Sequence, residues 1–212
     1  LVLLSFLLLE KKKHVFSAIA GGFASMTRFA GLGVALSFVS IKSSLRKKIL
    51  MVTIGMSGLL SYMSYLYFAF GNPLLFMEAT KEWCKISSKC NFTFPLTPLV
   101  NYANLLLTGW VKPSLSFKFL DWFFAVVFLF LLFKVWKKLG LNYFIYSLIV
   151  ILLPLLSGST VGMVRYVLVA FPTFFIFPFL VRSKILFFII CFLLLLLQLR
   201  FVGLFTNKAW VA

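Results

Sequence analysis

Apolar residues run along this chain in long blocks, with short polar clusters between them. Residues 1–9 are apolar but too few for a bilayer, which needs about 20. They predict the end of an entering helix, stopped by Glu10-Lys-Lys-Lys-His14. Residues 15–39 are rich in Gly, Ala and Ser and are interrupted by Thr27-Arg28. Two readings stay open there. One is a single tilted span that buries Arg28. The other is a pair of short helices that enters and returns with Arg28 at its tip, where irregular backbone can face protein or water. Residues 49–70 predict a crossing helix of about 33 Å. Its far half carries Tyr62, Tyr65, Tyr67 and Phe68, in the manner of an interfacial aromatic belt. Residues 71–118 form a long polar segment broken by Pro73, Pro95, Pro98 and Pro113, in which Asn72-Pro73 predicts a turn and then a short helix over 74–83. Residues 119–136, 143–157, 166–181 and 185–206 predict four further crossings, the second and third of them short for a span.

Composition turns this pattern into a fold class. The chain is 63% hydrophobic and 12% charged, against roughly 45–50% and about 25% for soluble domains. The expectation is an all-α, polytopic transmembrane helical bundle occupying 1–212 as a single membrane domain, the C-terminal part of a longer polypeptide. Net charge is +17, from 21 Lys and Arg against 4 Asp and Glu. In a soluble protein that excess would point to nucleic acid. Here the basic residues sit in the short loops, as the positive-inside rule produces, and no nucleic-acid partner is expected. Twelve Lys and Arg lie in or beside four short loops (11–13, 42–48, 134–138, 182–184), and the long segment 71–118 carries five. The short loops are therefore read as cytoplasmic, and 71–118 and the tail 207–212 as extracytoplasmic. Since basic loops flank residues 15–39 on both sides, charge favours the returning pair.

Candidate chemistry gathers on the outer face. Arg165 lies in Gly158-Ser-Thr-Val-Gly-Met-Val-Arg-Tyr-Val-Leu-Val-Ala-Phe-Pro172, at a turn between two apolar blocks. Ionisable residues bordering a bilayer are costly and by default mark a wet cavity or a functional site. An arginine at a helix end also serves as a simple headgroup anchor, which is the reading for Arg200. Glu78, Glu82 and Asp121 fall on the same side as Arg165. Glu78 and Glu82, at i and i+4, share a helix face that can do acid–base work, hold a cation or lie solvated. His14 is the sole histidine, so no metal site is expected, and no cofactor motif is present. Asn91-Phe-Thr93 has the form of a glycosylation sequon. Cys84 and Cys90 lie in the outer segment, where an oxidising compartment could join them, and Cys191 reads as a packing residue.

Four segments in order resemble the mannosyltransferase family of PIG-V type, which includes the second mannosyltransferase of glycosylphosphatidylinositol synthesis and prokaryotic relatives. They are Ala20-Gly-Gly-Phe-Ala-Ser-Met-Thr-Arg-Phe-Ala-Gly-Leu32, Phe70-Gly-Asn-Pro-Leu-Leu-Phe-Met-Glu-Ala-Thr-Lys-Glu-Trp83, Arg165-Tyr-Val-Leu-Val-Ala-Phe-Pro172 and Phe205-Thr-Asn-Lys-Ala-Trp-Val-Ala212. The resemblance implies a membrane glycosyltransferase of the GT-C fold, with no cofactor, that transfers a sugar with inversion from a polyprenyl-phosphate donor to a lipid or glycan acceptor. The host membrane is the cell membrane in a prokaryote or the endoplasmic reticulum in a eukaryote. It implies Arg165, and more weakly Arg28, as contacts of the donor phosphate, and Asn72, Glu78, Glu82, Trp83 and Tyr166 as substrate-loop residues. It also places the catalytic carboxylate in a loop upstream of Leu1. From composition alone, a transporter subunit or a non-catalytic membrane scaffold are the competing classes.

Overall fold

The computed structural model describes residues 1–78, 93–109, 117–181 and 183–207. Among the described residues every regular element is helical. A helix satisfies its own backbone N–H and C=O groups, which apolar blocks in lipid require. Helix α1 (Val2–Glu10) stops at the lysines, where Lys12 takes a positive φ of 57°, and α2 (His14–Thr27) runs back beside it. Two buried hydroxyls clamp the pair: Ser5 Oγ donates to Ser17 O at 2.7 Å, and Ser17 Oγ donates to Ser5 O at 2.8 Å.

At Arg28 the backbone becomes extended (φ −151°, ψ 142°), a 3-10 turn (Phe29–Gly31) follows, and α3 (Leu32–Ser37) returns. A Cβ at Gly31 would collide with the backbone of Ala24, and one at Gly21 would stand 3.0 Å from Val34 Cγ1. These contacts pair 31 with 24 and 34 with 21, so the chain doubles back within 15–39 and does not form a single continuous span. Loop charge favoured the same arrangement.

Helix α4 (Leu45–Phe70) begins one turn before its apolar block and takes Arg46, Lys47 and Lys48 into its first turn. Long basic side chains tolerate this because their stems stay apolar while the charged heads reach out. The helix closes at Gly71, whose φ of 72° lets its N–H donate to Tyr67 O at 2.8 Å. Helices α2 and α4 touch at backbone distance. A Cβ at Gly58 would collide with Gly22 O, and Ser25 Oγ donates both to Gly22 O at 2.8 Å and to Gly55 O at 2.7 Å. Small residues allow such an approach, and a hydroxyl that bridges it adds a bond that lipid cannot compete for.

After Gly71, residues 75–78 are helical, the start of the element predicted over 74–83. Within the segment read as a polar loop lies a further helix, α5 (Thr97–Leu107), with Pro98 in its first turn, where a missing N–H costs nothing. Helix α6 (Phe117–Leu139) follows, and Gly140, at φ 102°, turns the chain into α7 (Leu141–Leu155). The block predicted as one crossing over 166–181 is broken. Helix α8 (Met163–Val169) gives way to a 3-10 segment (Phe171–Ile176) and a short α9 (Phe177–Leu180), bent from α8 by 69°. Pro172 has no N–H to continue the α-helical ladder, and Thr173 Oγ1 donates to Ala170 O at 2.7 Å at the break. Helix α10 (Lys184–Thr206) ends the described chain, exposed along most of its length.

Among the described residues three helices are long and apolar enough to cross a membrane, Leu45–Phe70, Lys118–Leu139 and Lys184–Leu204, or four if the bent pair counts as one span. The helix ends sort into two groups. Tyr143 Oη donates to Glu10 Oε1 at 3.0 Å and Ser40 Oγ bonds Asn142 Oδ1, joining three ends predicted on the inner side. Thr93 N–H donates to Leu156 O at 3.2 Å, joining two predicted on the outer side. Between them Tyr146 is fully buried. Its ring packs on Phe6 and Phe171 with centroids 5.3 and 5.5 Å away, and its hydroxyl donates to Val169 O at 2.8 Å. Gly33 of α3 leaves room for that ring: a Cβ there would lie 3.1 Å from Tyr146 Cδ2. One side chain thereby ties α1, α3, α7 and α8 together.

Candidate functional site

The chain between α7 and α8 needs two left-handed residues, and glycine supplies both: Gly158 at φ 78° and Gly162 at φ 76°. Gly158 N–H donates to Leu155 O at 3.1 Å, ending α7, and Met163 N–H donates to Thr160 O at 3.1 Å, folding the turn onto itself. The first N–H groups of α8 have no partner within their own helix. A carboxylate from another helix takes one of them, that of Val164, together with the N–H of Gly162 just before the helix. Asp121, near the start of α6 and 2% exposed, accepts Gly162 N–H on Oδ2 and Val164 N–H on Oδ1, each at 2.9 Å. Its negative charge sits at the positive end of α8, where the aligned peptide dipoles favour it.

Arg165 follows one residue later, on the exposed side of α8. Its guanidinium folds back over Gly162, so that a Cβ at 162 would stand 2.7 Å from Nη2. The arrangement is a buried anion, whose two oxygens are engaged by backbone, beneath an exposed cation. Chemically it can present guanidinium N–H donors to an anion from outside, phosphate above all, which a planar fork binds bidentately. As an acid–base group Asp121 is badly placed, since its oxygens face Gly162 and Val164 and are shut away from solvent.

The other predicted residues separate. Arg28 is also exposed and stands at the tip of the α2–α3 hairpin, where its carbonyl accepts Gly31 N–H at 2.7 Å. Among the described contacts no hydrogen bond joins it to the Arg165 turn. Tyr166 is half-buried and packs against the core. Asn72 builds a turn, its Oδ1 accepting Leu74 N–H at 2.9 Å. Glu78 is exposed on the helical turn that follows. Glu82, Trp83, Cys84 and Cys90 lie outside the described residues, so the shared face of Glu78 and Glu82 and the cysteine pairing do too. Cys191 is exposed on α10 and packs against no core, contrary to expectation. Burial first, then the charges of Lys47 and Lys12, lower the pKa of His14 below its ordinary value. An apolar cleft of about 280 Å³ opens between α5 and α6, lined by Leu99, Val126, Leu129 and Phe130.

Asp121 is the residue that sequence reasoning undervalued. The sequence shows it as an outer-side acid, an isolated carboxylate at the head of an apolar helix, and only the tertiary structure brings it to the Gly162 turn. Comparison of the chain with protein-family models, with curated proteins and with solved structures returned no match.

Proposed function

We propose that the chain belongs to a multi-pass membrane glycosyltransferase of the GT-C type, a mannosyltransferase by its resemblance. It would use a polyprenyl-phosphate sugar on the extracytoplasmic or luminal face of a cell or endoplasmic-reticulum membrane. The observation that carries the reading is the exposed Arg165 on a turn whose backbone is held by the buried Asp121 carboxylate. In the reaction, an acceptor hydroxyl attacks the anomeric carbon from the face opposite the leaving group. A new C–O bond forms as the bond from that carbon to the phosphate oxygen breaks, the hydroxyl proton passes to a carboxylate base, and polyprenyl phosphate departs. Negative charge grows on the departing phosphate, and a cation fixed beside it lowers the barrier. The apolar cleft along α6 offers space for part of the isoprenoid chain. Acceptor and donor are lipids or glycans at the membrane, and nucleic acid has no place in the scheme.

Because the resemblance puts the catalytic carboxylate in a loop upstream of Leu1, residues 1–212 alone should give no turnover, and the test is transfer of labelled mannose from a polyprenyl-phosphate donor by the longer polypeptide that includes that loop, measured per folded enzyme. Arg165→Gln should lower kcat by roughly 100- to 1,000-fold, the loss seen when a positioned transition-state donor is removed. Arg165→Lys should recover part of it, because an ammonium keeps the charge and loses the fork. Wild-type turnover in both variants would make Arg165 a headgroup anchor.

A transporter is the second reading, favoured by the two interrupted elements, at Arg28 and at the 69° bend after Val169. Transporters build midplane sites from such broken helices. Sugar transfer without solute counterflow in proteoliposomes rejects it, and the converse result rejects the transferase.

A further inference from the structure

We infer that Asp121 is a positioning residue for the anion contact, acting through Arg165; the inference rests on the proposed donor-phosphate role of that arginine. Three observations carry it. First, Asp121 is buried and spends both oxygens on the turn, on Gly162 N–H and Val164 N–H at 2.9 Å. These two residues flank the first residue of α8 and so set where that helix starts and how it is rotated. Second, Arg165 sits in that first turn, so the direction in which its side chain leaves the helix follows from the same two bonds. Third, Gly162 takes φ 76° and leaves the space that the guanidinium fills, Nη2 lying 2.7 Å from where a Cβ would stand.

The carboxylate has a further consequence. Backbone N–H groups at a helix start are themselves anion ligands. In this turn Gly162 and Val164 are already committed to Asp121, which leaves the guanidinium as the group that meets an outside anion. Asp121 thereby selects a side chain over backbone as the anion contact, and the bidentate pairing of a planar guanidinium with two phosphate oxygens that follows is a property of Arg165.

The test is a double-mutant cycle on binding, with the chain in nanodiscs, polyprenyl monophosphate as the probe and the uncharged polyprenol as control. Affinity is read per monodisperse folded protein. Arg165→Gln is expected to abolish the preference for the phosphate over the alcohol. Asp121→Asn keeps the volume but replaces one acceptor with a donor, and should weaken phosphate binding about tenfold, mid-range for directly coupled neighbours. In the Arg165→Gln background, Asp121→Asn should cost nothing further. An equal loss in both backgrounds, or no loss in either while Arg165→Gln still abolishes the preference, overturns the inference and leaves the donor-phosphate reading standing. A gain of affinity on Asp121→Asn overturns it as well, because the freed N–H groups would then be serving the anion. Retention of the preference by Arg165→Gln removes the donor-phosphate reading, and the inference falls with it. Should Asp121→Asn fail to fold, Asp121→Glu decides, since it keeps the charge but displaces the two oxygens from Gly162 N–H and Val164 N–H. It should weaken binding where Arg165 is present and be silent beside Arg165→Gln, and additive losses overturn the inference.

Discussion

Two lone arginines stand at reversals of this chain, Arg28 between α2 and α3 and Arg165 at the head of α8, and the two reversals are held by different physics. At Arg28 the turn is held by backbone proximity. A Cβ at Gly31 would collide with Ala24, Thr27 Oγ1 donates to Ala24 O at 2.9 Å, and Ser25 Oγ reaches across to Gly55 O. Among the described residues no carboxylate binds the backbone of this turn. At Arg165 the turn is held by a buried carboxylate that arrives from α6, and the cation lies over the same glycine whose N–H that carboxylate binds. Close packing fixes where a backbone goes. A charged group engaging specific N–H donors also fixes a rotation about the helix axis, and rotation is what aims a side chain.

The largest expected effect that separates the two is functional. Arg28→Gln should leave kcat within a few-fold of wild type, whereas the same change at Arg165 costs the roughly 100- to 1,000-fold stated above. Equal losses at both positions would erase the distinction and place the two arginines on one ligand. Next in size is a stability effect confined to the hairpin. Gly31→Ala drives a Cβ into backbone that cannot yield, and should destabilise by about 1–3 kcal/mol, the range for overpacking. Thermal unfolding in detergent measures it. Phosphate binding per folded molecule should stay unchanged, and a fall in affinity would show that the hairpin shapes the Arg165 site.

The smallest effect concerns His14, at the basic end of the bundle. Its pKa is lowered in the folded state from the ordinary 6.5 by burial, then by Lys47 and Lys12. The unfolded chain therefore binds the proton more readily, so stability falls as pH drops through about 6.5 and levels off below the folded value. The melting temperature should decline slightly from pH 7.5 to pH 5.5, and His14→Gln should remove the part of the decline that belongs to this residue. An unchanged slope in His14→Gln would place the acid sensitivity elsewhere. A matching slope change from variants of the Arg165 turn would link the two ends of the bundle.

Much of the architecture was legible along the chain. The apolar blocks announced α4, α6 and α10, since a segment that cannot hydrogen-bond to its solvent has to be helical whatever surrounds it. The pair of basic loops around 15–39 pointed to the returning hairpin, because charge remains on one side of a bilayer. The polar break between two apolar blocks also marked the turn that carries Arg165. Local rules did less well where two tendencies compete. Helix α5 was hidden in a stretch that its prolines marked as loop, although Pro98 stands where a helix start tolerates it. The block 166–181 looked continuous because all its residues are apolar, yet Pro172 and Thr173 end the ladder within it.

The sequence by itself determined that this is an all-α membrane bundle and which residues lie at its reversals, because run length, loop charge and polar breaks act through neighbours in the chain. The tertiary structure decided what holds each reversal and where its charge points. Asp121 and Gly162 are 41 residues apart, and Ser25 and Gly55 are 30 apart. No periodicity connects such pairs. A buried polar group must find a partner somewhere, and which partner it finds depends on how whole helices pack, at the distances over which side chains reach one another.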